Sequence, residues 1–169
     1  YYVTIPKVTL HHVSKRGETV FRLTQGDKVL GKGKLTEENK KYTIPKDWFR
    51  QGEQELDVWM EDENGEKQED FQWEKTFRID LSAPEFQVSA DGGFESWHRN
   101  ETTVHVNAKD EYSGIKNISC YVNGEKQAEI GKAGGNFVIR QSSRNGKPVR
   151  VLFETRDHAG NQNRQERNL

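Results

Sequence analysis

One stretch of the sequence occurs twice, as LDVWMEDENG at residues 56–65 and as VLFETRDHAG at residues 151–160. In both copies apolar residues occupy alternate positions, and both copies end in Asp-x-x-Gly. Alternation of this kind is typical of a β-strand with one buried face, and the Asp-x-x-Gly ending is typical of a tight turn. The two copies therefore predict the same strand and turn in two repeated units.

Two further matches extend the repeat upstream. Residues 42–44, YTI, align with residues 137–139, FVI, at the same spacing of roughly 95 residues. Residues 25–28, QGDK, align with residues 123–126, NGEK, at nearly that spacing. Matches in one order and nearly one register indicate an internal duplication rather than chance similarity.

The remaining periodicity predicts antiparallel β-structure throughout. Residues 102–108 alternate between apolar and polar side chains, and the apolar run 118–122 leads into Asn123-Gly124, a pair that suits a hairpin turn. No stretch keeps a 3.6-residue apolar period for the length of a helix. We therefore predict an all-β chain of two tandem β-sandwiches.

The boundary between the two units is predicted near Pro84, which lacks a backbone donor and holds the residue before it extended, as a short linker requires. The first domain then covers residues 1–80 and the second residues 81–169. The first is shorter at its front, so we expect it to lack a first strand. The chain opens at Tyr1-Tyr2, without an initiating Met, and we expect it to be a piece of a longer protein.

The turns of the second unit carry two motifs, Asp-x-x-Ser-Gly-Ile at residues 110–115 and Asp-x-Ala-Gly-Asn at residues 157–161. The residues that form them, together with a tryptophan ahead of the predicted strand 102–108, are Trp97, Asp110, Ser113, Gly114, Asp157, Gly160 and Asn161. With these residues the second unit resembles the bacterial immunoglobulin-like surface repeat domains of Gram-positive bacteria. The resemblance covers residues 81–169 and reaches residues 1–80 only through the internal repeat.

The resemblance implies two tandem immunoglobulin-like β-sandwiches in which the motif residues build the fold and none is catalytic. It also implies an extracellular position, at the cell surface or attached to the cell wall, where such modules act as stalks, spacers or adhesive tips. The expected partners are neighbouring domains of the same chain and a host glycan or matrix protein. The alternative is an accessory carbohydrate-binding or linker module of a secreted carbohydrate-active enzyme.

Composition narrows the function classes. The net charge is -1, with 26 basic and 27 acidic residues, and neither half carries the basic field that nucleic-acid binding requires. No apolar run approaches the roughly 20 residues that span a bilayer. Cys120 is the only cysteine, so the chain holds no internal disulfide, and we expect this side chain to be a small buried hydrophobe.

No signature of catalysis occurs in the sequence, since it contains no glycine-rich phosphate loop, zinc-ligand spacing or nucleophile elbow. We therefore predict that the chain is not an enzyme. Calcium is the one cofactor considered, because hard oxygen donors lie near predicted turns and the linker. Its candidate ligands are Asp80, Asp110, Glu111 and Asp157. An ion there would stiffen the joint; the alternative is that these are ordinary turn and surface carboxylates.

Trp59 is the candidate binding residue. The alternation in residues 56–60 turns it outward, between Asp57 and Glu61. An outward tryptophan flanked by carboxylates suits a sugar ring or a protein partner, while the alternative is packing against the neighbouring domain or a loop. Trp48 and Trp73 are expected in the core or at its edge.

Overall fold

The computed structural model describes residues 4–94, 101–140 and 148–169. Within these residues the chain consists of β-strands, turns and one short 3₁₀ turn, so the predicted all-β fold is confirmed. No helix of the described residues has the length and apolar character needed to cross a membrane. The chain divides into two compact units, residues 1–81 and residues 82–169.

The first unit places its strands in two sheets. A four-stranded antiparallel sheet has the order β3-β2-β5-β6, and a two-stranded sheet pairs β1 with β4. Its elements are β1 (Thr9–His11), β2 (Glu18–Gln25), β3 (Lys28–Leu35), β4 (Lys41–Thr43), a 3₁₀ turn (Lys46–Trp48), β5 (Gly52–Glu61) and β6 (Lys67–Ile79).

The second unit has the same plan with a larger second sheet. Its four-stranded sheet has the order β10-β9-β12-β13, and a three-stranded sheet has the order β11-β8-β7. Its strands are β7 (Glu85–Ala90), β8 (Glu101–Lys109), β9 (Ile115–Val122), β10 (Glu125–Ile130), β11 (Gly134–Arg140), β12 (Arg150–Asp157) and β13 (Gln162–Asn168).

The repeated sequence segments occupy matching places in the two units. The copies at residues 56–65 and 151–160 form β5 and β12 with the turns that follow, and each strand is the third of its four-stranded sheet. Of the other matched segments, residues 42–43 lie in β4 and residues 137–139 lie in β11. The pair β1–β4 matches β8–β11, and residues 4–81 contain no strand at the place of β7. The expected lack of a first strand stays a prediction.

Two glycines on β3 let aromatic rings lie flat on the sheet of the first unit. A Cβ added at Gly31 would lie 1.9 Å from the nearest atom of the Trp48 ring, and one added at Gly33 would lie 2.5 Å from the Phe21 ring. Trp48 packs against Phe21 and Tyr42, with ring centroids 6.4 and 6.1 Å away. The alternating glycines of β3 are therefore part of the core packing.

The cores are formed by the inward-facing residues of both sheets in each unit. In the first unit the buried apolar residues are Phe21, Leu23, Leu35, Ile44, Phe49, Leu56, Phe77 and Ile79. In the second they are Phe86, Val104, Val106, Ala108, Ile118, Cys120, Phe137, Ile139, Val149, Val151 and Phe153. Cys120 is fully buried, and burial raises the pKa of its thiol to about 12, so the residue packs as a neutral side chain.

An exposed histidine on the three-stranded sheet bridges two acceptors. Nε2 of His105 lies 2.9 Å from Asp91 Oδ1, and Nδ1 lies 2.9 Å from Asn136 Oδ1. Only the imidazolium form donates from both ring nitrogens. The hydrogen bonds to Asp91 and then Asn136 raise the pKa of His105.

We predict that Gly31→Ala destabilises the first unit by about 1–3 kcal/mol, because the added methyl group displaces the Trp48 ring. Chemical denaturation followed by tryptophan fluorescence measures this loss. Gly131→Ala is the matched control, because a Cβ there meets nothing within 4 Å. Equal stability of the two variants would contradict the proposed packing.

We predict that Asp91→Asn lowers the pKa of His105, which an NMR pH titration of the imidazole measures. Because this pKa is raised in the folded state, the bridge stabilises the fold at low pH and its contribution disappears as the pH rises through that pKa. An unchanged pKa of His105 in the variant would show that Asp91 does not stabilise the imidazolium.

Candidate functional site

Trp59 lies in β5 on the face of the sheet that points away from the core. Its neighbour Val58 pairs with the fully buried Phe21, so Trp59 points to the opposite face. Across the sheet it lies between Val20 on β2 and Gln72 on β6. The indole is half-buried there. This outward direction is the one that the alternation in residues 56–60 indicates.

Charged side chains of the first unit surround the Trp59 ring. The Arg22 guanidinium carbon lies 5.9 Å and Lys67 Nζ 5.2 Å from the ring centroid, and the indole Nε1 donates to Glu61 Oε1 at 3.0 Å. Arg22 Nη2 also lies 3.1 Å from Asp57 Oδ2. Cations near an aromatic face are attracted by its quadrupole. We call these five residues, Arg22, Asp57, Trp59, Glu61 and Lys67, the Trp59 patch.

An ion-pair network fixes the acidic side of the Trp59 patch. Lys34 Nζ lies 2.7 Å from Glu18 Oε2 and 2.9 Å from Glu61 Oε2. These two hydrogen bonds raise the pKa of Lys34 to about 12. The bond from Lys34, followed by the bond from Trp59, lowers the pKa of Glu61. Glu61 therefore stays ionised and holds the indole N–H in place.

The second unit places a different side chain at the matching position. The repeat aligns Trp59 with Glu154 of β12, which is buried and lies 2.6 Å from Arg164 and 3.5 Å from Arg156. The same sheet position therefore accepts an aromatic ring in one unit and a carboxylate in the other. Because the sandwich forms with either residue, the Trp59 patch is a feature of the first unit and not a requirement of the fold.

The other tryptophans behave differently from one another. Trp48 packs at the edge of the core, as expected. The expectation that Trp73 lies in the core or at its edge is wrong: 51% of its surface is exposed, since no strand of residues 4–81 covers that part of β6. Trp97 lies outside the described residues. Sequence alone also missed Arg22 and Lys67 beside Trp59, because only strand pairing brings them there.

The Asp110 motif forms a turn closed by its own carboxylate. Asp110 Oδ1 accepts hydrogen bonds from the backbone N–H of Ser113 at 2.8 Å and of Gly114 at 2.6 Å. Gly114 has a φ of 75°, which glycine adopts without strain. Ser113 Oγ accepts from the backbone N–H of Ala159 at 3.2 Å, so this turn is tied to the turn after β12.

The Asp157 motif forms that second turn in the same way. Asp157 Oδ1 accepts from the backbone N–H of Gly160 at 2.6 Å and of Asn161 at 2.8 Å, and Oδ2 accepts from Asn161 Nδ2 at 2.8 Å. Asp157 is fully buried. A buried carboxylate that receives several N–H donors stabilises a turn without an ion.

Two of the four calcium candidates lie together in the second unit. Asp110 and Asp157 each offer a carboxylate oxygen, and these atoms lie within 4.8 Å of one another. Glu111 is exposed and is not part of this group. In the first unit Asp80 is buried and accepts from Gln51 Nε2 at 3.0 Å. The turn hydrogen bonds account for the positions of Asp110 and Asp157, and calcium binding stays a prediction.

Comparisons with known proteins place the chain in no family. No family model matches it, and no curated protein matches it. Among solved structures the chain is similar to the fibronectin(III)-like modules of Clostridium thermocellum CbhA, with a TM-score of 0.43 and 11% sequence identity. That alignment covers 96% of this chain and 84% of the other.

We predict that Asp157→Ala destabilises the second unit by about 1–3 kcal/mol, because two backbone N–H groups lose their acceptor. Chemical denaturation of the variant measures the loss. Glu111→Ala is the control, since that side chain is exposed, and we expect little change. Equal stability of the two variants would contradict the role of Asp157 in the turn.

Thermal unfolding distinguishes whether Asp157 only closes the turn or also binds calcium. Bound calcium stabilises the folded state by mass action, so a calcium site raises the melting temperature when the ion is added after chelation. Loss of that rise in Asp157→Ala would support calcium at this turn. An unchanged melting temperature of the wild-type protein in millimolar calcium would rule the site out.

Proposed function

We propose that the chain is a non-catalytic pair of immunoglobulin-like modules from a bacterial cell-surface or secreted protein, acting as a stalk or spacer and in adhesion. The observation that supports this most directly is the duplicated sandwich. β6 ends at Ile79 and β7 begins at Glu85, so only five residues connect the two strands. Modules repeated in tandem on short linkers extend a protein away from its point of attachment.

The use of the polar side chains supports a structural role. In the Trp59 patch, Arg22 forms an ion pair with Asp57, and Glu61 pairs with Lys34 and accepts a hydrogen bond from the Trp59 indole. Asp110 and Asp157 accept backbone N–H groups in their own turns. Among the described residues these groups stabilise the fold of each unit. This supports a role in presentation and binding, which requires no catalytic step.

Adhesion is assigned to the Trp59 patch. A half-exposed indole offers an apolar face to the C–H groups of a sugar ring or to an apolar side chain of a protein. Asp57 and Glu61 lie beside the ring and accept hydrogen bonds from sugar hydroxyls or protein N–H groups. The ligand class proposed is therefore a host glycan or a matrix protein.

A second candidate function uses the same patch. In an accessory module of a secreted carbohydrate-active enzyme, Trp59 and its carboxylates would contact a polysaccharide. Insoluble polysaccharides in a sedimentation assay test this candidate directly. The parent gene also separates the two, because a wall-sorting signal favours the surface module and an adjoining catalytic domain favours the enzyme accessory.

We predict that the purified chain binds a member of an array of glycans and matrix proteins, and that Trp59→Ala weakens this binding by at least about tenfold. Val29→Ala is the control, since Val29 is an exposed apolar side chain of the same unit that lies outside the Trp59 patch. Equal loss in both variants would contradict the assignment to Trp59. Absence of binding across the array would favour the spacer role alone.

A further inference from the structure

In the second unit, β7 covers the inner face of the edge strand β13. Gln165 Nε2 donates to the backbone carbonyl of Phe86 at 2.8 Å, and Asn163 Nδ2 donates to that of Pro84 at 2.9 Å. On its other side β7 pairs along β8, with Phe86 opposite Ala108. The first strand of this sandwich therefore joins the two sheets at one edge.

The first unit has the same edge without that strand. Val58 matches Phe153 in the repeat; Val58 pairs with Trp73, and Phe153 pairs with Gln165. Trp73 therefore occupies the place of Gln165, the residue that holds β7 in the second unit. Among residues 4–81, β1 pairs only with β4. The other edge of β1, which corresponds to the edge of β8 that pairs with β7, therefore has no strand beside it.

The uncovered face is apolar. Phe71 and Trp73 on β6 are 61% and 51% exposed. Phe71 lines a groove together with Met60 of β5 and Val13, whose side chain is 90% exposed. Adjacent exposed apolar side chains on a monomer are characteristic of an interaction surface.

The rim of this groove is acidic. Glu61, Asp62 and Glu63 line it opposite a single basic side chain, Arg16. A ligand that carries Lys or Arg beside its apolar residues would complement this charge.

Every described strand of the chain already pairs within a sheet. β7 to β13 all belong to the two sheets of the second unit, and β1 to β6 belong to those of the first. Whatever covers Phe71 and Trp73 therefore comes from outside these strands. In the second unit the corresponding place is occupied by β7, an extended strand antiparallel to β8. It carries apolar side chains such as Phe86 and Val88 at alternate positions.

We propose that this face of the first unit binds an extended peptide strand of a partner protein, with apolar residues at alternate positions and Lys or Arg flanking them. The strand pairs with the open edge of β1, Thr9–His11, and its apolar side chains pack on Phe71 and Trp73. Backbone hydrogen bonds to β1 supply affinity, and the apolar contacts supply register. This site shares Glu61 with the Trp59 patch, but the Trp59 ring itself lies on the other face of the sheet.

The probe is a synthetic peptide that copies residues 84–90, Pro-Glu-Phe-Gln-Val-Ser-Ala, with a lysine added at each end. We expect saturable binding to the full chain and slower amide hydrogen exchange at residues 9–11. Trp73→Gln, which installs the residue found in the second unit, should weaken binding by at least about tenfold. Val29→Gln, at an exposed apolar side chain of the same unit outside both sites, should leave the affinity unchanged. A scrambled peptide of the same composition should bind at least about tenfold more weakly.

Several results would overturn the proposal. Absence of peptide binding, equal binding of the scrambled peptide, or unchanged affinity in Trp73→Gln would remove the strand site. Protection of β1 amides that grows with protein concentration, without peptide, would identify a second copy as the occupant. Protection of the same amides without peptide and at every protein concentration would assign the strand to the same polypeptide. Equal unfolding midpoints for Trp73→Gln and the wild-type protein show that any loss is not a folding defect.

Discussion

Each unit depends on the register of one apolar strand in its four-stranded sheet. β5 pairs with β2 so that Val58 lies opposite Phe21, and β12 pairs with β9 so that Phe153 lies opposite Cys120. A slip of one residue would bring Trp59 onto the core face, and would do the same to Glu154 in the second unit. Such a slip would separate the Glu154 carboxylate from Arg164 and would crowd an indole into the core of the other unit. The register of these pairs therefore fixes both the cores and the outer faces.

The turn after each of these strands supports that register. Asp62 Oδ1 accepts from the backbone N–H of Asn64 and of Glu66, and Asp157 Oδ1 accepts from that of Gly160 and of Asn161. The same carboxylate position therefore closes the hairpin in both units. A turn of defined length aligns the strand that follows, so the Asp is part of the mechanism that sets the strand register. This explains why the repeat is clearest where strand and turn meet.

Sequence periodicity could predict the features that depend on local alternation. It placed Trp59 on the outer face and identified the β5 and β12 segments as equivalent, because both follow from the two-residue period of a strand. It failed for Trp73, whose exposure depends on a strand that is absent beside it and not on its own neighbours in sequence. It also could not show that Arg22 lies over the Trp59 ring, because that contact is made across the pairing of β2 with β5.

The two units use one scaffold with different surfaces. In the second unit, Glu154 forms ion pairs with arginines on the outer face, and β7 closes the edge of the inner face. In the first unit the matching positions hold Trp59 and Trp73, and both indoles reach the surface. Neither tryptophan is required by the sandwich, because the second unit folds with Glu and Gln in their places. The aromatic residues that the fold does not need are therefore concentrated in the first unit, on both faces of one sheet, and recognition is expected there while the second unit serves as scaffold.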